Sequence, residues 1–256
     1  MNPENLTEYE KVEIKDFNSD EIYYTGEFES KVNILYSDYL EDNNVFLNNR
    51  NRYICTIKDH FLYRYEIIDS LGGGSYGNVI KVKDHKDDTL KAVKVFKKFD
   101  FFDEFKNNKL FLDELNILNI LKERLKPNDY SNDSIYFTNY IDTFNFRAHN
   151  FIVFNLYGKN LYKDRYKIYS STIDQKLIII KDIVNALIYF SDGERKIINA
   201  DLKPENILFK NNDAKNFNIV ICDFGLSLIL EPKEKKKMFS SKLIQTKWYR
   251  APEIYL

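Results

Sequence analysis

Cysteine is scarce: the 256-residue chain holds two, Cys55 and Cys222, far apart and matching no metal-ligand spacing. Free thiols in a reducing compartment are the plain reading. An excess of charge of either sign is also missing. Lys+Arg and Asp+Glu nearly balance at a formal net charge of −1, so nothing draws the whole chain toward nucleic acid or an anionic membrane. No apolar run approaches the roughly 20 residues that a membrane span needs. The N-terminus is polar and acidic, unlike a signal peptide. No internal repeat is present. These absences predict a soluble intracellular protein of the cytoplasm, the nucleus or both, with neither nucleic acid nor membrane as a partner.

What is present supports a real core. The hydrophobic content is 44 %, and Tyr and Phe are abundant beside Asn, Lys and Ile. That pattern reads as a compositional bias of the source genome rather than as function. The length allows one large domain or two lobes. Near the start, Leu6 to Ile14 reads as a short capped helix, with Thr7 as N-cap and Glu10 at the third helical position. The Asn-rich stretch from Asp42 to Asn51 reads as a loop or a partly disordered linker. Tyr65 to Leu71 and Val79 to Val82 read as a hairpin around a glycine-rich turn, with Leu90 to Phe96 as a third strand. Leu112, Leu115, Leu118 and Leu121 mark a helix, and Ile135 to Asn155 carries two more strands. Thr172 to Phe190 is the strongest helix, with Ile180, Ile183, Val184, Leu187 and Phe190 on one stripe. The runs 196–198, 207–209 and 219–221 are short and apolar. Lys233 to Lys237 reads as a solvated loop segment rather than a nuclear-import signal.

Six motifs follow one another in a fixed order. They are Gly72-Gly73-Gly74-Ser75-Tyr76-Gly77-Asn78-Val79, Ala92-Val93-Lys94, Glu114, Asp201-Leu202-Lys203-Pro204-Glu205-Asn206, Asp223-Phe224-Gly225 and Ala251-Pro252-Glu253. Gly72, Gly74 and Gly77 form GxGxxG, a weak signal alone because dinucleotide sites share it. Here it lies between two strands rather than between a strand and a helix, which argues against a dinucleotide enzyme. Glycines let backbone N–H groups come close to phosphates. Lys94 lies on the third predicted strand, where burial is expensive without a partner. Glu114, on the helix that follows, is the natural partner, although Glu104 and Asp113 lie nearby. The string from Asp201 to Asn206, with Asp223-Phe224-Gly225 closely after it, is specific enough to exclude chance.

This layout resembles a eukaryotic-type protein kinase. The resemblance implies an α+β, bilobal fold, with an antiparallel N-lobe sheet plus one helix and a mainly helical C-lobe. It implies ATP and Mg²⁺ as cofactors and proteins as substrates. Lys94 and Glu114 would fix the α- and β-phosphates. Asp201 would orient the substrate hydroxyl as catalytic base, and Lys203 would neutralise the γ-phosphate. Asn206 and Asp223 would hold Mg²⁺. Phe154 would be the gatekeeper, the Asn155 carbonyl and Tyr157 N–H would bond adenine, and Leu71, Val79, Ala92 and Leu208 would enclose the ring. Lys203-Pro204 is the form typical of Ser/Thr kinases, and Thr246 would brace Asp201 and Lys203.

The segment Lys58-Asp59-His60-Phe61-Leu62-Tyr63-Arg64-Tyr65-Glu66 narrows the resemblance to the DYRK family, the dual-specificity tyrosine-phosphorylation-regulated kinases of the CMGC group. Asp84-His85-Lys86, Asn160-Leu161-Tyr162 and Ile244-Gln245-Thr246-Lys247-Trp248-Tyr249-Arg250 agree with it. Leu6-Thr7-Glu8-Tyr9-Glu10 and Glu21-Ile22-Tyr23-Tyr24-Thr25-Gly26 are similar to the accessory region of its class II branch. The expected organisation is an accessory region over 1–60, an N-lobe over 61–157 and the first part of a C-lobe over 158–256. There are departures. The histidine that usually precedes the catalytic loop, and braces the phenylalanine of Asp-Phe-Gly, is Asn199, followed by Ala200. The family's Tyr-x-Tyr is Ser241-Lys242-Leu243, so its tyrosine autophosphorylation cannot occur at 243. Phosphotyrosine within 226–250 would have Tyr249 as its only candidate.

The chain ends shortly after Glu253, where the resemblance implies further C-lobe helices. The expectation is therefore a truncated kinase whose apolar helix 172–190 lacks cover and is prone to association. Two functions compete: a DYRK-like protein Ser/Thr kinase, with dual specificity left open, or a weak or inactive pseudokinase that binds nucleotide or a partner.

Overall fold

A computed structural model describes residues 3–32, 36–41, 45–98, 104–125, 135–230 and 245–254. The expected replacement at 241–243 and the basic run 233–237 lie outside these residues. The chain forms two compact units, residues 1–111 with 140–156 and residues 112–139 with 157–256. The class is α+β, as expected.

The first unit starts with helix α1 (Glu8–Glu13), set by a capping box. The Glu10 N–H donates to Thr7 Oγ1 at 3.2 Å, and the Thr7 N–H donates to Glu10 Oε2 at 3.0 Å. The pair satisfies two N–H groups that a helix start otherwise leaves orphaned. A short helix α2 (Tyr36–Glu41) follows. Strands β1 (His60–Phe61), β2 (Tyr65–Gly74), β3 (Gly77–Asp84) and β4 (Thr89–Phe96) come next. Helix α3 (Glu104–Glu123) contributes residues 104–111 to this unit and the rest to the second. Strands β5 (Tyr140–Phe146) and β6 (His149–Asn155) complete a six-stranded antiparallel sheet in the order β1-β2-β3-β4-β6-β5.

The period of two along each strand splits the sheet into faces. Ile80, Val82, Val93, Val95, Phe151 and Val153 point into an aromatic core. Leu6, Tyr9, Phe46, Tyr53, Phe61 and Tyr63, all ahead of β2 in the chain, fill the other side of that core. The Tyr and Phe richness therefore serves packing here, with stacked pairs such as Phe144–Phe151 at 4.6 Å between centroids. The stretch expected as a linker is partly structured. Residues 42–44 lie outside the described ones, but Phe46 is buried in the core and Leu47 pairs with Tyr53.

A polar knot lies inside this apolar core. Glu10 accepts from His60 Nε2 at 3.0 Å, Arg147 Nη2 at 3.1 Å and Lys31 Nζ at 2.5 Å. Glu13 takes the Arg147 Nε and Nη2 at 3.0 and 2.8 Å, and the Tyr63 hydroxyl at 2.7 Å. The Tyr63 N–H donates to His60 Nδ1 at 3.1 Å, so the His60 proton sits on Nε2, facing Glu10. The knot requires strained backbone at two places. Leu62 and Tyr63 turn at φ 54° and 49°, and Arg147 and Ala148 form the β5–β6 hairpin loop at φ 48° and 57°. Left-handed non-glycine residues cost about 1–2 kcal/mol each, and the bonds just described offset that.

His149 sits beside the knot. Its Nδ1–H donates to the Arg147 carbonyl at 2.7 Å, which leaves a bare Nε2 that is buried and, among the described residues, unpartnered. Burial pushes this imidazole down to about 4, with the carbonyl bond opposing and the Lys98 charge helping. The unfolded chain takes up the proton near the ordinary value of 6.5, whereas the native state does not. Stability is therefore full above that pH and declines as pH falls toward the folded value, by an amount on the order of 3 kcal/mol. Denaturant titrations between pH 7 and 5 are expected to show this slope, and His149→Phe is expected to flatten it.

The second unit holds helices α4 (Arg165–Tyr169) and α5 (Ile173–Ser191), then strands β7 (Lys196–Ile198), β8 (Ile207–Phe209), β9 (Ile219–Ile221) and β10 (Leu228–Leu230). Strands β7 and β10 pair antiparallel, as do β8 and β9. Thr172 caps α5 through a second capping box with Gln175. The buried edge of α5 differs from the apolar stripe read in the sequence. Ile179, Asp182, Ala186 and Phe190 are buried, whereas Ile180, Val184 and Leu187 are exposed. Phe190 packs edge-on against Phe224 at 5.7 Å. Asp182 is drawn inward because its carboxylate accepts the Ile219 N–H at 2.9 Å and Asn218 Nδ2 at 3.2 Å. On α3, Leu118 and Leu121 are buried but Leu112 is exposed, because a spacing of three falls behind the 3.6-residue turn.

Candidate active site

In the first unit the register gathers the predicted residues on the face opposite the aromatic core. Val79 pairs with Lys94 and Ala92 with Phe154, and antiparallel partners project to the same side. Ala92 and Lys94 alternate around Val93 on β4 and share that side. Lys94 is buried at 8 % exposure, with its Nζ 5.3 Å from the Phe96 ring centroid. Asn155 ends β6 and is exposed, next to partly buried Phe154. The glycine-rich turn joins β2 to β3, and Gly72, Gly73 and Gly74 are exposed. A Cβ at Gly72 or Gly74 would meet nothing within 4 Å, whereas one at Gly77 would lie 2.1 Å from the Val95 carbonyl oxygen. The close β3–β4 approach thus demands glycine at 77, while 72 and 74 leave open backbone.

The second unit builds a polar cluster around Asp201. Its Oδ1 accepts the Thr246 hydroxyl at 2.6 Å and the Thr246 N–H at 3.1 Å. Its Oδ2 accepts Lys203 Nζ at 2.7 Å and Asn206 Nδ2 at 3.0 Å. Lys203 Nζ also donates to Thr246 Oγ1 at 2.7 Å. Four donors shared between two oxygens fix the orientation of this carboxylate, and the ammonium bond is charge-assisted. Asn206 Nδ2 also bonds the Asp201 carbonyl at 3.0 Å, so its amide oxygen is turned away from Asp201.

The hairpin β8–β9 places Asn206 beside Asp223. Ile207 pairs with Ile221, and the Cys222 N–H donates to the Asn206 carbonyl at 2.9 Å. Ala200 adopts φ 57° and Asp223 φ 62°, left-handed positions that precede and follow the 201–206 segment and its β8–β9 hairpin. The Gln245 N–H bonds the Ala200 carbonyl at 3.0 Å, which ties the segment ahead of Ala251-Pro252-Glu253 to this loop. Asn199 has a defined post. It is buried, its Oδ1 accepts the Asp201 N–H at 3.1 Å, and its carbonyl accepts the Ser227 hydroxyl at 2.9 Å. Phe224 is held by Phe190 instead of a histidine.

Leu208 and Tyr157 are partly buried in the second unit, and Glu114 is buried on α3 at 1 % exposure. Lys94 and Leu71 belong to the first unit and Glu114, Tyr157 and Leu208 to the second. Sequence reasoning missed Asn199 as a loop brace and Ser227 as its partner. An amide just before a loop carboxylate is a weak but readable signal for such a bond.

Comparison with known proteins shows the family of the chain. The protein kinase domain family matches residues 65–255. Dual specificity tyrosine-phosphorylation-regulated kinase 2 of Drosophila melanogaster is 33 % identical over 98 % of this chain and 32 % of its own length. The DYRK-family kinase pom1 of Schizosaccharomyces pombe is 32 % identical over 100 % of this chain and 22 % of its own. Probable serine/threonine-protein kinase dyrk2 of Dictyostelium discoideum is 33 % identical over 98 % of this chain and 25 % of its own. The chain thus spans about a third or less of the length of these relatives.

Proposed function

We propose that this chain, which belongs to the protein kinase family and is DYRK-like within it, is an ATP-dependent protein serine/threonine kinase that transfers the γ-phosphoryl group to protein hydroxyls. One observation carries the reading: Asp201, Lys203, Asn206 and Thr246 form a single bonded cluster around one carboxylate. Asp201 would accept the hydroxyl proton of the substrate and aim its oxygen. Lys203 would place a positive charge toward the transferred group, and Thr246 would hold base and lysine in register. The turned-out amide oxygen of Asn206 and the Asp223 carboxylate are hard oxygen donors that fit Mg²⁺. When bound, Mg²⁺ neutralises charge on the β- and γ-phosphates.

In the first unit, the open backbone at Gly72 and Gly74 suits close approach of phosphate oxygens, and Lys94 would contact the α- and β-phosphates. In the same unit, Leu71, Val79 and Ala92 would contact adenine, Phe154 would limit pocket depth, and the Asn155 carbonyl would bond the base. Asn199 supports activity rather than the pseudokinase alternative, since it supplies a bond to the Asp201 backbone. No helix among the described residues is long and apolar enough to cross a membrane.

Thermal melting with and without ATP·Mg²⁺ tests the nucleotide part. At a hundred-fold excess over Kd, binding is expected to add about 2.7 kcal/mol and shift the transition by several degrees. Lys94→Met is expected to remove most of that shift. A shift that Lys94→Met leaves intact would contradict the assignment.

A further inference from the structure

We infer that Arg52 is a positioning residue that clasps the glycine-rich loop and raises its affinity for nucleotide phosphates, an inference that rests on the nucleotide-binding reading above. The guanidinium reaches both arms of the β2–β3 turn. Its Nη2 donates to the Gly74 carbonyl at 2.6 Å, and its Nη1 donates to Asn78 Oδ1 at 2.7 Å. Gly73 faces Asn78 in the register, so the two bonds close over the tip of the hairpin. A planar fork with fixed donors suits such a two-point grip.

The glycine at 73 belongs to the same device. A Cβ there would lie 2.6 Å from Asn78 Oδ1 and 2.7 Å from Arg52 Nη1. Any side chain at 73 would thus occupy the space where the guanidinium and the amide meet. Gly72 and Gly74 show no such crowding, so the middle glycine of the three is the one whose absent side chain the clasp uses.

Arg52 is itself anchored. The Asn48 N–H donates to the Arg52 carbonyl at 2.9 Å, and Asn48 Oδ1 accepts the N–H groups of Arg50 and Arg52 at 2.9 and 3.3 Å. The next residue, Tyr53, is buried in the aromatic core. The Asn51 carbonyl takes the Lys98 N–H at 3.3 Å, a second tie from the same turn to the residues just after β4. The loop is thus held from a rigid part of the same unit.

The physical consequence concerns entropy. Three successive glycines have the greatest backbone freedom of any tripeptide, and ordering them on a ligand is costly. A loop already ordered loses less entropy on binding. The guanidinium also adds a positive charge beside backbone that would cradle phosphates.

The test uses the whole chain with Arg52→Ala, Arg52→Lys, Asn78→Ala and Gly73→Ala. Amide hydrogen exchange across residues 72–79, the ATP·Mg²⁺ dissociation constant by calorimetry, and KM and kcat are measured. In Arg52→Ala, which removes both bonds, and Gly73→Ala, which crowds the point where they meet, exchange is expected to rise by about an order of magnitude, and Kd and KM for ATP by roughly three- to tenfold. In Arg52→Ala the kcat is expected to stay within about twofold, because the clasp acts on binding. Arg52→Lys, with one donor point instead of two, and Asn78→Ala, which keeps only the Gly74 bond, should fall between. Unchanged exchange would overturn the inference, including the case where affinity falls by charge alone. Faster exchange with unchanged nucleotide affinity would also overturn it. If the unsubstituted chain binds no nucleotide, the nucleotide reading fails by itself, and exchange still decides whether the clasp exists.

Discussion

Glu10→Ala is expected to lower the unfolding free energy by about 3–5 kcal/mol, the cost of stranding buried charges. Glu10 is 2 % exposed and receives Thr7, Lys31, His60 and Arg147. Arg147 is buried and retains Glu13, so it would stay partly compensated, while the buried Lys31 ammonium would lose this carboxylate. The Thr7 N–H would lose its acceptor on Glu10, while the N-cap bond from the residue-10 N–H to Thr7 Oγ1 would remain. Glu10→Gln keeps shape and one acceptor and should cost less. Urea denaturation checks both, and a loss under about 1 kcal/mol for alanine would mean that the knot does not hold α1 to the sheet. The same carboxylate predicts an acid limit. Burial alone would push the Glu10 carboxyl up, but the His60 hydrogen bond and the Arg147 and Lys31 charges outweigh it and hold it far below the usual range. A depressed carboxyl contributes stability that is complete above its ordinary value of 4.5 and is lost as pH falls below that.

Asp201→Asn is expected to reduce phosphoryl transfer by about a thousandfold or more, within the span that a positioned base supplies. The carboxylate accepts at both oxygens from Thr246, Lys203 and Asn206. An amide offers one oxygen and sets its NH₂ against donors that already point at that position. Lys203 would lose its charge partner, so the damage would reach beyond the base itself. Nucleotide affinity is expected to stay within about threefold, since Asp201 is assigned to the substrate hydroxyl. Transfer assays at saturating ATP, with binding measured in parallel, separate the two effects.

The candidate site was legible because the residues proposed for it stand in short contiguous strings. Asp201 to Asn206 and Asp223 to Gly225 need only local order to be recognised, and the apolar runs 196–198, 207–209 and 219–221 became the strands that carry them. Helix α1 was legible from Thr7 and Glu10 for the same reason. What could not be read depends on distant pairing. Arg147 meets Glu10 and Glu13 from the far end of the first unit's sequence, and nothing near it signals burial. Arg52 sits at the edge of an Asn-rich stretch that looks like a linker, yet its neighbours Phe46 and Tyr53 are core. On α5 the apolar residues exceed what one face can bury. Which edge turned inward was decided by Asp182 and Phe190, one polar and one aromatic, through partners on β9 and in Asp-Phe-Gly that lie far along the chain.

Phosphoryl transfer itself is read with γ-labelled ATP. The 256-residue chain is incubated with ATP·Mg²⁺ and a generic basic protein, beside Asp201→Asn. Label on Ser or Thr hydroxyls that requires Mg²⁺ and disappears in the variant is the expected result. No label on the protein, while ATP still raises the melting temperature, would contradict it and leave a nucleotide-binding module instead.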